Sequence, residues 1–327
     1  MGVLAIALTS FAVTLALEPL VIRGLIHRAV LDLPGDRSNH SVPVPRGGGA
    51  AVILGMVVGV LLCRQSVAVA LLAGILVATV TGAVEDVRGL QIRTRLVLTG
   101  AAALLLMGAL LAYADISGTS LVVLTVALPW TLAVVNAVNF MDGINGISAV
   151  TAMVGGAAYA FFGSAINSPA LMLLGGVTAA AAAGFVPYNA PRARVFLGDV
   201  GSYGIGATFA AMSLLAMVEG LPVETAVAPL LIYLADTGVT ILRRVRAREP
   251  LSQAHKLHIY QRLVASGWSH MSVSAVVAVL TLGCVGLGAV SLSAGVVTRV
   301  AVGLGLVAVL GVYLALPVVA SRRRFAA

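Results

Sequence analysis

Charge is scarce in this sequence. Asp, Glu, Lys and Arg make up 10% of its 327 residues against 60% hydrophobic ones, which excludes a soluble domain of this length because there is too little polar surface to coat one. Cysteine is scarcer still. Cys63 and Cys284 both fall in apolar runs, which reads as packing and excludes a disulfide framework or a cysteine metal set. Long polar stretches are missing as well: the longest, roughly 242–270, is too short to bury a core of its own, so no separate soluble domain is expected.

What is present is apolar runs of membrane-crossing length from end to end. In lipid every backbone polar group must be satisfied internally, so these runs predict an all-α, polytopic helical bundle forming a single membrane domain. The runs fall at roughly 3–22, 48–63, 67–84, 96–112, 119–138, 148–166, 169–187, 201–218, 222–241, 271–291 and 296–320, about eleven spans. The first lacks a basic start and a small-residue cleavage site and ends at Glu18-Pro19, which predicts a retained span.

Basic residues set the orientation. Arg23, Arg28, Arg37, Arg46, then Arg88, Arg93, Arg95, then Arg192 and Arg194, then Arg243 to Arg262, and finally Arg322 to Arg324 fall in alternate breaks, with only Arg64 and Arg299 on the other side. The positive-inside rule makes those breaks cytoplasmic, with the N-terminus outside and the C-terminus inside. Five polar loops, near 23–47, 85–95, 136–148, 188–202 and 242–270, then face one compartment, where basic residues suit anionic lipids and anionic substrates.

Those loops carry the chemistry. The segment Asn136–Ser148, NAVNFMDGINGIS, packs three asparagines, Asp142 and two glycines between apolar runs; Asn and Asp are poor interior helix residues, and Gly allows close backbone approach to a ligand. Arg46-Gly47-Gly48-Gly49 opens a helix after a proline-held extended stretch, an arrangement that suits an anion. Glu85-Asp86 closes a span; adjacent carboxylates near a membrane boundary suit a divalent cation or a proton-transfer task, and magnesium takes oxygen ligands while keeping waters and phosphates. Phe196-Leu197-Gly198-Asp199-Val200-Gly201-Ser202 places a carboxylate among glycines just before a helix. His255 and His258 lie in the last loop without a cysteine or carboxylate partner for zinc, which points to phosphate contact or acid–base work. Asp236, the clearest ionisable residue inside a span, is expected to pair with Arg243 or Arg244.

Together these segments resemble the polyprenyl-phosphate N-acetylhexosamine-1-phosphate transferase superfamily, from Pro34 through Leu263. Asn136-x-x-Asn139-x-x-Asp142-Gly143-x-x-Gly146 is similar to its nucleotide loop, Phe196-x-Gly198-Asp199-x-Gly201-Ser202 to its metal loop, and Tyr188-Asn189-x-Pro191 precedes the latter at a family-like distance. The resemblance implies transfer of a sugar-1-phosphate from a UDP-N-acetylhexosamine to polyprenyl phosphate, releasing UMP, as the first membrane step of a cell-surface glycan. It implies a magnesium cofactor, with manganese able to substitute, a cytoplasm-facing site in the inner (plasma) membrane and a homodimer, with no nucleic-acid partner.

By motif position, Asp199 is the implied metal ligand with Asn189 nearby. Asn139, Asp142, Gly143 and Ile144 border the uridine, and Phe196 stacks on the uracil. Arg46, Gly47 and Gly48 lie beside the diphosphate or sugar, and His258 is near the diphosphate with His255 as companion. The family pattern of two aspartates after the third span is here Glu85-Asp86, which leaves open which of them is the base. The run from His255 to Leu263 is closer to the glycan initiators than to the triple-histidine run of phospho-N-acetylmuramoyl-pentapeptide transferase. A simple donor, N-acetylglucosamine or a 6-deoxy relative, is therefore expected over the muramoyl-pentapeptide. A transporter or flippase of lipid-linked glycan is the alternative from another class, and it would place its polar residues within spans near the midplane.

Overall fold

The computed structural model describes residues 2–34, 42–114, 118–250 and 257–325. His255 lies outside the described residues. Thirteen α-helices follow in chain order: α1 Val3–His27, α2 Gly49–Cys63, α3 Ser66–Arg88, α4 Ile92–Tyr113, α5 Gly118–Met141, α6 Ile147–Ala165, α7 Pro169–Asn189, α8 Gly198–Val218, α9 Val223–Val227, α10 Leu231–Arg246, α11 Ile259–Ala265, α12 His270–Val290 and α13 Val296–Phe325. Strands β1 Leu31–Asp32 and β2 Val44–Pro45 pair antiparallel between α1 and α2. Among the described residues nine helical stretches are long and apolar enough to cross a membrane, and two shorter apolar ones, Gly49–Cys63 and Thr125–Met141, fall on the remaining anticipated runs. The protein is thus an all-α multi-pass membrane protein.

Helix boundaries follow local chemistry. Pro169 opens α7 behind Ser168, whose Oγ accepts the Leu171 N–H at 3.1 Å, and Ser269 accepts the Ser272 N–H at 3.0 Å to open α12. Both satisfy amides that a helix start leaves without an intrahelical partner.

Helix α8 is the axis of the bundle. Its apolar span is wholly buried, with α3 and α5 packed along it. Small residues set how near the neighbours come, as in membrane bundles generally. A Cβ built on Gly49 of α2 would stand 2.2 Å from Gly201 Cα, and one on Gly82 of α3 would stand 2.0 Å from the Asp199 carbonyl oxygen. Gly82→Ala is therefore expected to force α3 off α8 at a cost of about 3 kcal/mol and to lower activity with it, because Asp86 lies one turn further along α3. Thermal unfolding and transfer assays on the same detergent-purified sample check both.

The contacts at the helix ends fix one further point. The starts of α2, α6 and α8 and the ends of α3, α5 and α7 meet at one end of the bundle. The loops carrying Asp142, Asp199 and Glu85-Asp86 therefore lie on the same face.

Candidate active site

The site is built on the first turn of α8. A helix start presents unpartnered amides and the positive end of the helix dipole, and here a side chain from another helix occupies it. Asp86 Oδ1 accepts the Asp199 N–H and Oδ2 the Val200 N–H, each at 2.9 Å. Gly198 makes this approach possible: its φ of 75° is left-handed, and a Cβ there would stand 2.7 Å from Asp86 Oδ2.

Arg46 joins the two carboxylates. Its Nε lies 2.7 Å from Asp86 Oδ1 and its Nη2 2.7 Å from Asp199 Oδ1. Asn139, from the end of α5, donates from Nδ2 to the same Asp199 Oδ1 at 2.8 Å and to Ser202 Oγ at 3.0 Å. Both side-chain contacts to Asp199 among the described residues fall on Oδ1, which leaves Oδ2 for another partner.

The arginine is delivered by a backbone splice. Arg46 and Phe196 form a parallel β-bridge; the Phe196 N–H donates to Pro45 O at 2.8 Å, and the Phe196 carbonyl accepts from Gly47 and Gly48 at 3.1 and 2.9 Å. Gly49 donates to Leu197 O at 2.8 Å. The glycine amides expected to meet an anion are therefore spent inside the protein. What Gly47 and Gly48 contribute is space: Gly47 has φ 121°, and a Cβ on Gly48 would meet Glu18, Phe185 and Val195 within 2.9 Å.

Asn189 is likewise committed. Its Oδ1 accepts the Gly146 N–H at 2.7 Å and its Nδ2 donates to Val195 O at 3.0 Å, so it ties the 142–146 loop to the 190–197 loop. That loop is further pinned by Asn145, whose Nδ2 donates to Pro191 O at 3.1 Å and whose carbonyl accepts from Ser274 Oγ at 3.1 Å. Ile144 is buried in the core while Gly143 is exposed beside Tyr260.

Asp142 stands within electrostatic reach of the cluster. Burial pushes its carboxyl up to about 7, with the Ser148 hydroxyl lowering it, Asp199 and Asp86 raising it and Arg46 lowering it. A carboxyl held above its ordinary 3.8 favours the fold while protonated, so this contribution is present at low pH and is lost as pH rises toward about 7. Asp142→Asn, neutral at every pH, is expected to raise the melting temperature of the unliganded protein at about pH 8 and leave it unchanged at about pH 4; a pH series of thermal unfolding checks it.

Glu85 and Asp86 diverge. Glu85 turns toward Arg95, with Oε1 3.4 Å from Nη1, while its Oε2 is buried without a hydrogen-bond partner.

His258 stands apart from this cluster, buried behind the segment that carries Asn139 and Asp142, with its ring 6.1 Å from Phe140 and stacked 5.7 Å from Tyr260. Its partner is Asp236, 2.9 Å from Nδ1. The expected pairing of Asp236 with Arg243 or Arg244 is not the one found among the described residues: Arg244 bonds Glu249 Oε2 at 3.2 Å and the Pro250 carbonyl. Asp236 itself stood out in the sequence; its partners did not. Its burial in an apolar span was the available signal, since such a carboxylate needs donors from elsewhere in the fold.

Comparison with known proteins bears on this arrangement. The family model described as glycosyl transferase family 4 matches residues 68–217. The decaprenyl-phosphate N-acetylglucosaminephosphotransferase of Mycobacterium tuberculosis (strain ATCC 25618 / H37Rv) is 31% identical over 304 residues, covering 79% of this chain and 74% of that protein. The chain belongs to glycosyl transferase family 4.

Other members of the family match to different extents. The probable undecaprenyl-phosphate N-acetylglucosaminyl 1-phosphate transferase of Bacillus subtilis (strain 168) is 29% identical over 283 residues, 81% of this chain and 78% of that protein. The phospho-N-acetylmuramoyl-pentapeptide-transferase of Staphylococcus epidermidis (strain ATCC 12228 / FDA PCI 1200) is 37% identical, but over 90 residues, 28% of each chain. The family match begins at Ala68 in α3 and closes at Met217 in α8. It thus contains Asp86, Asn139, Asp142 and Asp199, whereas Arg46 and the Asp236–His258 pair are supplied from outside it.

Proposed function

We propose that this protein transfers N-acetylglucosamine-1-phosphate from its UDP derivative to a polyprenyl phosphate in the membrane, leaving a polyprenyl-pyrophosphoryl sugar and releasing UMP. The observation that carries the reading is the convergence of Arg46, Asp86, Asn139 and Asp199 on the first turn of α8, with Asp142 beside them. An anion-seeking helix start, a guanidinium and a carboxylate with one oxygen to spare suit a diphosphate and its counter-cation. The relatives that align over most of the chain carry N-acetylglucosamine in their names, whereas the muramoyl-pentapeptide enzyme aligns over 28%. That supports the simple donor.

Magnesium fits the donor set. Among the described residues no group of three or more His, Cys, Asp or Glu could hold a metal ion, which argues against a protein-built cage of the zinc type. A cation that takes Asp199 Oδ2 and fills its shell with phosphate oxygens and water is the habit of magnesium. When bound, it would polarise the diphosphate and offset charge on the departing UMP.

The chain's own groups do the rest. Arg46 neutralises phosphate oxygens from the far side of Asp199, and Asn139 holds Asp199 in its rotamer. Asp86 is saturated by two amides and an arginine, so Glu85, with its spare Oε2, is the carboxylate that takes the proton from the acceptor phosphate. The deprotonated phosphate oxygen then attacks the sugar-linked phosphorus, and the bond to the UMP oxygen breaks. The arginine-rich breaks support a cytoplasm-facing orientation for this site, and with it a place in the inner (plasma) membrane. A homodimer, which the resemblance extends to, is tested by the mass of the detergent-solubilised protein.

The decisive experiment supplies purified protein with polyprenyl phosphate and a panel of UDP-sugars. UMP release with UDP-N-acetylglucosamine, abolished by chelator and restored by magnesium, is expected. Turnover of UDP-N-acetylmuramoyl-pentapeptide instead, or movement of lipid-linked glycan across vesicles without UMP release, would overturn it.

A further inference from the structure

Asp236 of α10 is fully buried, yet five groups, from α10 itself, α13 and the start of α11, meet its two oxygens. Oδ1 accepts the Ile259 N–H at 3.0 Å and lies 2.9 Å from His258 Nδ1 and 3.3 Å from Thr240 Oγ1. Oδ2 accepts the Tyr313 O–H at 2.7 Å and the Tyr260 N–H at 3.3 Å. Both oxygens thus serve main-chain amides that can only donate, so the carboxylate is an acceptor and the proton between it and His258 belongs on Nδ1. A carboxylate at Nδ1 fixes the ring's orientation and stabilises the imidazolium. The same network is wired to the nucleotide-loop segment, because Tyr260 donates its O–H to Phe140 O at 3.0 Å and the His258 ring lies against Phe140.

We propose that Asp236, locked by Tyr313 from α13, is a positioning residue for the transfer reaction: it fixes the His258 ring, with a proton on Nδ1, against Phe140, the residue that follows Asn139 of the site. This rests on the transferase reading above. Its consequence is that α13, outside the family match, reaches the reaction through one hydroxyl. The titratable groups facing Asp236 are His258, Tyr260 from α11, Tyr233 from its own helix and Tyr313 from α13, with Asp142 of the loop acting on Tyr233 and Tyr260.

In full-length protein assayed by UMP release, Asp236→Asn is expected to lower kcat about 100-fold with the donor KM changed less than about threefold. Tyr313→Phe should cost about fivefold. Because Asp236 acts through His258, the double variant Asp236→Asn/His258→Ala should be no slower than His258→Ala. Losses that multiply in the double variant, or a donor KM that rises as far as kcat falls, would overturn the proposal. Should Asp236→Asn not fold, isotope-labelled histidine in the unsubstituted protein decides by magnetic resonance, with His258→Ala assigning the signal: a proton on Nδ1 supports the proposal and a neutral ring protonated at Nε2 sinks it. Absence of UMP release from the unsubstituted protein with every donor would instead count against the transferase reading, while the resonance measurement still decides the Asp236–His258 arrangement.

Discussion

Asp199→Asn is expected to leave a folded protein that transfers sugar-1-phosphate about 1,000-fold more slowly. The amide preserves shape and one carbonyl oxygen, so the Asn139 Nδ2 bond at 2.8 Å can persist. What disappears is the charge opposite Arg46 Nη2 and the Oδ2 that no hydrogen bond or ion pair among the described residues uses. The loss should therefore fall on chemistry and not on assembly, and raising the magnesium concentration should not restore it. Rates measured across a magnesium series, beside a melting curve, check the point. Transfer near the unsubstituted rate would remove Asp199 from its role.

Neighbouring carboxylates should fail differently. Glu85→Gln is expected to slow transfer about 100-fold with the melting temperature unchanged, because Glu85 has a 3.4 Å ion pair with Arg95 and an otherwise unpartnered oxygen. Asp86→Asn should lose both activity and stability. An amide can accept through one oxygen, so either the Asp199 or the Val200 N–H would face an NH2 group, and Arg46 Nε would lose its anion. About 2 kcal/mol of destabilisation is expected from the orphaned buried amide. Parallel melting curves and acceptor-dependent rates separate the two. A stable but inactive Asp86→Asn beside an active Glu85→Gln would exchange their roles.

The spans were legible because length and apolarity decide a membrane helix locally, and the described helices fall on each anticipated run. Arg46, Asp86, Asn139 and Asp199 were legible as site candidates because charged or amide side chains next to glycines at helix ends are costly unless used. Their pairings were not. Nothing local says that Asp86 will cap a helix more than a hundred residues away, or that Asn189 will spend both ends of its amide bridging two loops. Asp236 shows the limit most clearly. Sequence proximity offered Arg243 and Arg244, but Arg244 pairs with Glu249 and the carboxylate meets His258 and Tyr313. The glycine run misled in the opposite direction, since free amides were expected where close packing was the need.

Burial of the whole α8 span separates chemistry from surroundings. A helix that meets no acyl chain is insulated from whichever lipids the host makes. Fluidity and thickness press on the outer ring, above all α1 and α13, whose spans are 22% buried. Adaptation to a new bilayer can be written there residue by residue while the inherited reaction travels on unaltered.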